Sequence, residues 1–284
     1  MDTVINVLAQ GLSLSGVYLL GALGLTIIYG VMGVVNLAHG ELIMLGSYVV
    51  ALVAGTLSYP VAVVLAFVGV GALGYLLDAV LIRFLYDKPV SSMLATWGLA
   101  MVIRQAVVLL FGNGLRYVAL PIGGSLAIGF GANVGWWRLV LVACAVLAAV
   151  GVWLVMTRTT FGLQMRAVVA DPAAAGRLAL RPAQVNRWTF ALGCGLAGLA
   201  GALVAPLRTV FPDMGLPYMV GAFLVVVLAG LGNVRQTLLW SLALGIGFAA
   251  VAVPQGDTAA NIVVWCAALV IIALRRSSIA VARV

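Results

Sequence analysis

The sequence predicts an all-α protein, a polytopic transmembrane helical bundle of about eight or nine spans. Hydrophobic residues make up 65% of the 284 residues and charged residues 8%, whereas a soluble domain carries roughly 25% charged residues. Apolar runs of about 20 residues, long enough to cross a bilayer as a helix, recur along the chain. Because lipid cannot satisfy free backbone groups, such runs must be helical.

The apolar runs and the breaks between them predict the spans, all within one transmembrane domain that covers residues 1–284. The spans are residues 5–30, 41–55, 60–83, 93–111, 137–156, 188–206, 218–231, 236–253 and 259–274. Strand-length alternation of the kind that forms an outer-membrane barrel is not visible in the sequence.

The distribution of basic residues predicts the orientation of the chain in the membrane. Residues 157–187 form one strongly basic loop between two apolar runs. If this loop is cytoplasmic, alternating the spans places most other basic residues on its side, as the positive-inside rule requires. These residues are Arg83, Lys88, Arg235, Arg275, Arg276 and Arg283. The N-terminus is then expected outside and the C-terminus in the cytoplasm.

The basic loop, TRTTFGLQMRAVVADPAAAGRLALRPAQVNR, has the pattern of two short helices. Gly162 permits a turn after the preceding span, and the stretch LQMRAVVA has helical spacing. Asp171 and Pro172 suit the N-cap and the first turn of a second helix. The sequence therefore predicts a helix-turn-helix at the membrane face. This element could fill a groove in a partner protein, or it could lie on anionic lipid.

A polar break interrupts the apolar sequence YGVMGVVNLAHGELIMLGSYVV, where Asn36, His39 and Glu41 lie next to Gly40. Asn36 can cap freed backbone groups, and the glycine allows a helix to stop and restart. Such breaks often line a substrate cavity or a gate. The alternative is a turn between two spans at the cytoplasmic surface, where the histidine and the glutamate would be solvated.

Arg104 and Gln105 lie near the middle of the span TWGLAMVIRQAVVLLFG. A charge at that depth costs at least about 2.5 kcal/mol, so the arginine should face protein or water. It could contact a substrate carboxylate or carbonyl. It could instead pair with Asp78 or cap helix carbonyls.

Small residues recur at every fourth position of one predicted span, at Gly193, Ala197 and Gly201. Such a stripe lets helix backbones approach closely, which predicts deep packing against neighbouring helices or a partner subunit. A short internal echo also relates residues 18–36 to residues 218–233, each with Tyr, then Gly-Ala, then an apolar run ending in glycine and asparagine. If this echo is a repeat, the predicted topology makes it a parallel one.

The residue inventory argues against an enzyme. His39 is the one histidine in the sequence, which excludes a zinc site with two histidines, and no phosphate-binding GxxxxGK[ST] loop is present. No catalytic residue and no metal site are therefore predicted. Ionisable residues at membrane depth are also too few for ion coupling, so we expect the energy for any transport to come from outside the chain.

Three stretches carry a resemblance to a known family: GLTIIYGVMGVVNLAHGELIMLGSYV, TTFGLQMRAVVADPAAAGRLAL and AFLVVVLAGLGN. Together they resemble the permease subunits of ABC importers for branched-chain amino acids, urea and related small amides, over roughly residues 10–272. The stretches SSMLATWGLAMVIRQAVVLLFG and VNRWTFALGCGLAGLAGALV look closest to the urea-type branch.

The resemblance implies a permease subunit of an ATP-driven importer, with urea or short amides the favoured substrates and branched-chain amino acids next. In that family the basic loop docks on the ATP-binding subunit, which implies a coupling role for Gly162, Arg166, Asp171 and Ala174. Asn36, His39, Glu41, Arg104 and Gln105 remain the candidates for the substrate pathway or a gate.

The resemblance also implies the partners. They are a second related permease subunit, two cytoplasmic ATP-binding subunits that hold ATP and Mg²⁺, and an extracytoplasmic substrate-binding protein, in a bacterial-type cytoplasmic (inner) membrane. No cofactor is expected in this chain. The alternative function is an ATP-independent channel or facilitator for small polar solutes.

Overall fold

The computed structural model describes residues 2–86, 88–127, 133–230 and 232–281, and eleven α-helices account for most of these residues. The helices are α1 (Asp2–Met32), α2 (His39–Val53), α3 (Tyr59–Val80), α4 (Pro89–Phe111), α5 (Trp136–Arg158), α6 (Thr160–Ala170), α7 (Pro172–Arg177), α8 (Pro182–Val204), α9 (Gly215–Ala229), α10 (Val234–Gln255) and α11 (Asp257–Val281). Two short strands, β1 (Ser125–Ala127) and β2 (Asn133–Gly135), form an antiparallel ribbon between α4 and α5. The predicted all-α fold class is confirmed.

Six helices among the described residues are long and apolar enough to cross a membrane: α1, α3, α4, α5, α8 and α10. The predicted spans 41–55 and 218–231 correspond to shorter helices, α2 and α9, of 15 residues each. Fifteen residues reach about 22 Å, which is less than a hydrocarbon core of about 30 Å. These two helices are therefore half-helices. Residue 231 and Arg283, which the sequence analysis also used, lie outside the described residues.

A non-helical segment, residues 33–38, precedes half-helix α2 and carries the chain back into the bundle. His39, the first residue of α2, contacts Gly21 and Gly24 of α1. These glycines lie roughly 12 to 17 Å from the end of α1 at Met32, at 1.5 Å per residue. Half-helix α2 therefore begins near the middle of the bundle and runs away from that end of α1.

A second non-helical segment, residues 208–214, precedes half-helix α9 in the same way. The first residue of α9, Gly215, packs against Gly40, so both half-helices begin at one depth. Farther along, Gly221 lies beside Tyr18, and Gly232 beyond the end of α9 lies beside Gly30. Half-helix α9 therefore runs alongside α1 in the same direction.

These pairings make α1–α3 and α8–α10 an inverted structural repeat. Helix α10 packs antiparallel to α1, since Ser15 is beside Gly245 and Thr26 is beside Thr237. Helix α3 packs antiparallel to α8 in the same manner, since the Tyr59 hydroxyl donates to the carbonyl oxygen of Ala202 and Gly74 is beside Ala191. The parallel repeat suggested by residues 18–36 and 218–233 is wrong, because the counterpart of α1 is α8, which has the opposite direction.

Helix α8 lies at the centre of the bundle, between α1, α2 and α3. Gly193 faces the backbone of Gly24, Gly201 faces the backbone of Ile43, and Ala197 is fully buried. The predicted deep packing of this small-residue stripe is confirmed. Helices α2 and α8 approach so closely there that a Cβ at Gly201 would overlap the carbonyl oxygen of Ile43, and glycine is therefore required.

The start of α8 corrects one predicted boundary. Residues 182–187, which the sequence analysis assigned to the basic loop 157–187, form the first turns of α8. Arg187 consequently faces the bundle, where its Nε lies 3.5 Å from a carboxylate oxygen of Asp78. The connection between α5 and α8 is therefore shorter than predicted, and α6 and α7 fill it.

We expect Gly201→Ala to destabilise the protein by at least about 1–3 kcal/mol, because the added methyl group overpacks the contact between α2 and α8. The measurement is the midpoint of thermal unfolding in detergent. Gly247→Ala in α10 is the matched control, since a Cβ there meets nothing within 4 Å. Equal midpoints for the two variants would contradict the close packing of α8.

Candidate functional site at the junction of two half-helices

The N-termini of α2 and α9 meet at Gly40 and Gly215. A Cβ on either glycine would collide with the carbonyl oxygen of the other, so the two backbones are in direct contact. Neither helix start has a side-chain cap. Paired half-helix N-termini inside a membrane protein are the arrangement that lines substrate and ion sites in transporters. The junction is therefore the candidate functional site.

His39 and Glu41 are buried at this junction, with relative exposures of 0% and 3%. The alternative of a solvated surface turn is wrong for both residues. Nε2 of His39 lies 2.9 Å from the carbonyl oxygen of Gly21 and donates to it in the Nε2-protonated tautomer. Gly24 leaves the space that the imidazole ring fills, since a Cβ there would lie 2.8 Å from Cε1 of His39.

Arg104 connects the two half-helices through a pair of carboxylates. Its Nη2 donates to Oε1 of Glu41 at 2.5 Å, and its Nε donates to the same oxygen at 3.2 Å. Its Nη1 lies 3.2 Å from Oδ1 of Asp213, in the non-helical segment before α9. Three elements, α2, α4 and the segment 208–214, are thus joined by one guanidinium group.

Sequence reasoning missed Asp213. The stretch FPDMGLP has the aspartate and glycine typical of a surface turn, and nothing in its spacing indicates that the turn lies inside the bundle. Only the return of residues 208–214 toward Gly40 brings the carboxylate to Arg104. Asp213 is 64% exposed at its side chain, so it marks the open side of the network.

Three buried polar atoms around the junction have no hydrogen-bond partner among the described residues. They are Nδ2 of Asn36, Nδ1 of His39 and Oε2 of Glu41. Asn36 uses its other amide atom, Oδ1, to accept from the backbone N–H of Ala38 at 3.1 Å. Buried polar groups normally find partners, so the free atoms give this junction capacity to bind a polar solute.

Gln105 and Asp78 lie outside the network around Arg104. Gln105 is exposed on α4. The predicted alternative of an Arg104–Asp78 pair is wrong, because Asp78 accepts from Oη of Tyr86 at 2.6 Å and pairs with Arg187. Burial, and then this hydrogen bond, raise the pKa of Tyr86 well above its usual range, so the phenol remains a donor.

The two short helices of the basic loop are present as predicted. The Thr159 hydroxyl accepts from the N–H of Gly162 at 3.1 Å, and a Cβ at Gly162 would overlap the last carbonyls of α5. The Arg166 guanidinium donates to the carbonyl oxygen of Met156. Asp171 caps α7, accepting from the N–H groups of Ala173 at 2.8 Å and Ala174 at 2.9 Å. The helix-turn-helix prediction is confirmed.

The outer surface of α6 and α7 is apolar in places. Leu163, Val169 and Leu178 are more than half exposed there. Exposed apolar residues on a short helical element outside the spans are typical of a surface that contacts a partner or lipid. The capping contacts hold this surface in a fixed position relative to the end of α5.

The sequence matches a protein family over residues 7–274, and the description of that family is "Branched-chain amino acid transport system / permease component". The chain belongs to this family. Its relatives include the high-affinity branched-chain amino acid transport system permease protein BraD of Pseudomonas aeruginosa, with 27% identity over 96% of this chain and 94% of the relative. The permease protein LivH of Escherichia coli has 29% identity over 84% of this chain and 82% of the relative.

A probable branched-chain amino acid transport permease protein LivH of Methanocaldococcus jannaschii has 26% identity over 82% of this chain. No solved structure gives a significant match. Membership in a family of transport permeases agrees with the expectation that the chain is a transport subunit and not an enzyme. The comparisons do not support the resemblance to the urea-type branch.

The network predicts strong coupling between Glu41 and Arg104. We expect Arg104→Gln to lower the free energy of unfolding by about 2 kcal/mol, because it leaves the buried carboxylate of Glu41 without its partner. Loss of a partner from a fully buried ion pair would lower it more, since Arg104 is partly exposed. The double variant Glu41→Gln/Arg104→Gln should recover part of this loss. A double-mutant cycle from denaturant unfolding in detergent measures the coupling. Additive effects would mean that the pair contributes nothing to stability.

Proposed function

We propose that this chain is the permease subunit of an ATP-driven importer for branched-chain amino acids, with urea or short amides as the less supported substrates. Family membership over nearly the whole chain is the observation that carries the proposal. The names of the relatives give the substrate class, since each is a branched-chain amino acid permease.

The half-helix junction supports a role in the substrate pathway for Asn36, His39, Glu41 and Arg104. The contact of Gly40 with Gly215 and the ion pairs of Arg104 close the bundle at mid-depth. A change in the position of α4 would break the pair with Asp213 first, because that carboxylate is exposed while Glu41 is buried. We infer that this network acts as a gate, and that the unpartnered polar atoms contact the solute when the gate opens.

The capped helices α6 and α7 support a role in coupling. The energy for import would come from two cytoplasmic ATP-binding subunits that carry ATP and Mg²⁺. The complete importer would also contain a second related permease and an extracytoplasmic substrate-binding protein. The ATP-binding subunits would contact α6 and α7, with Gly162, Arg166, Asp171 and Ala174 fixing the shape of the contact. The basic residues near α6 and α7 favour a cytoplasmic location for these helices in an inner membrane, with the N-terminus outside.

The proposed function predicts ATP-dependent accumulation of labelled leucine in proteoliposomes that contain the complete complex and its binding protein. Labelled urea is the comparison solute. Leucine should rise above its equilibrium level only with ATP, because an importer does work against the gradient. Equilibration at one rate with and without ATP would indicate a channel, and accumulation of urea alone would assign the chain to the other substrate branch.

The proposed coupling role predicts that Asp171→Ala reduces ATP-dependent uptake several-fold while the protein remains inserted and folded. The substitution removes the side chain that caps α7, a loss of about 1 kcal/mol that is local to this short helix. Asp171→Asn is the matched control, since asparagine also caps helices, and it should retain most of the uptake. Uptake at the unmodified rate in Asp171→Ala would remove the case for this helix.

A further inference from the structure

The two segments that precede the half-helices, residues 33–38 and 208–214, have different surroundings. In the first half, α4 closes against the segment 33–38: the N–H of Val35 donates to the Ser92 hydroxyl at 3.3 Å, and the N–H of Leu37 donates to the Thr96 hydroxyl at 3.0 Å. In the second half, α11 follows α10 along the chain as α4 follows α3. The space between α11 and the segment 208–214 is a cavity of about 330 Å³.

A second lobe of about 320 Å³ adjoins this cavity, and Arg208, Tyr218 and Asp257 line both. We refer to the two lobes together as the α11 cavity. Each lobe is at the lower end of the size range of small-molecule sites in proteins. The cavity lies beside the start of α1, and it reaches Met214 and Pro217 at the first turn of half-helix α9.

Charged groups of opposite sign lie together in the α11 cavity. Arg208 and Asp257 line both lobes, Arg138 lines the second lobe, and Asn261 lines the first. Nη1 of Arg208 is 3.8 Å from Oδ2 of Asp257, and the two side chains are 57% and 58% exposed. That separation exceeds the 2.7–2.9 Å of a direct charge-assisted hydrogen bond. Both groups therefore retain capacity for a ligand.

The rest of the wall is mixed: Gln10, Ser13, Tyr18, Thr209 and Tyr218 add polar side chains, and one side is apolar. Leu14 and Phe248 line both lobes, and Val17 and Met214 each line one. A ligand that matches both the Arg208–Asp257 pair and the apolar side must carry a positive and a negative group close together, with an apolar part beyond them. Urea and simple amides have no such charges, and a plain anion or cation would satisfy only one member of the Arg208–Asp257 pair.

We propose that the α11 cavity binds a zwitterionic α-amino acid with an apolar side chain, the carboxylate at Arg208 and the ammonium group at Asp257. The apolar side chain contacts Leu14 and Phe248. This proposal rests on the proposed function for the identity of the transported solute, and it adds a binding site separate from the gate at Arg104. A solute held there lies next to the first turn of α9, which is one side of the gate.

The test is equilibrium binding of labelled leucine to the purified complete complex, without ATP and without the substrate-binding protein. Competitors are leucinamide, which lacks the carboxylate, and 4-methylpentanoate, which lacks the ammonium group. Arg208→Gln and Asp257→Asn should each weaken leucine binding at least about tenfold, as loss of one charge-assisted contact predicts. Arg208→Gln should also remove the preference for leucine over leucinamide, and Asp257→Asn the preference over 4-methylpentanoate.

The control is Arg235→Gln, which removes one exposed arginine at the start of α10, away from the α11 cavity. It should bind leucine as the unmodified complex does. Unchanged leucine binding in Arg208→Gln and Asp257→Asn would overturn the proposal, and so would an equal loss for all three solutes.

Transport by the same variants distinguishes this proposal from the proposed function. Variants that bind leucine normally but lose uptake driven by the substrate-binding protein would assign the charges to docking of that protein and would overturn the amino acid site. If the unmodified complex accumulates leucine with ATP and the variants do so with an unchanged KM, the amino acid site alone is wrong. If the unmodified complex does not accumulate leucine, the proposed function fails and the ligand of the α11 cavity fails with it.

Discussion

The need to satisfy backbone groups inside a bilayer is the constraint on which this fold depends. An N–H or C=O group that leaves a helix at membrane depth must find a partner within the protein. Here the segment 33–38 finds the hydroxyls of α4, and the segment 208–214 forms a backbone bridge from Val210 to Arg116 at 2.9 Å in both directions. These contacts permit two breaks, and the breaks permit two half-helices to begin inside the bundle.

The same constraint explains the charges near the breaks. A guanidinium group on a mostly exposed helix such as α4 would be costly unless it had partners. Glu41 and Asp213 supply them, and each lies within a few residues of a half-helix start. The ion pairs are therefore an outcome of the breaks as well as a link between them. Because α4 has few other contacts with the bundle, this link connects its position to the state of the junction.

Much of the fold could be predicted from the sequence, because hydropathy and capping residues act locally. The helix bundle and the two short helices at Gly162 and Asp171 follow from such signals. The length of a half-helix does not, since an apolar run has the same composition whether it crosses the bilayer or stops halfway. Two ion pairs could not be predicted either, Arg104 with Asp213 and Asp78 with Arg187. The members of each pair are far apart in sequence, and only the packing of the helices brings them together.

The inverted repeat has equivalent backbones but unequal chemistry. One half fills the space beside its break with serine and threonine hydroxyls, which can satisfy backbone groups without extra charge. The other half leaves that space open and lines it with an arginine and an aspartate. A symmetric scaffold that only had to be stable would need no such difference. The proposed amino acid site and the hydroxyl contacts therefore lie in opposite halves of the repeat.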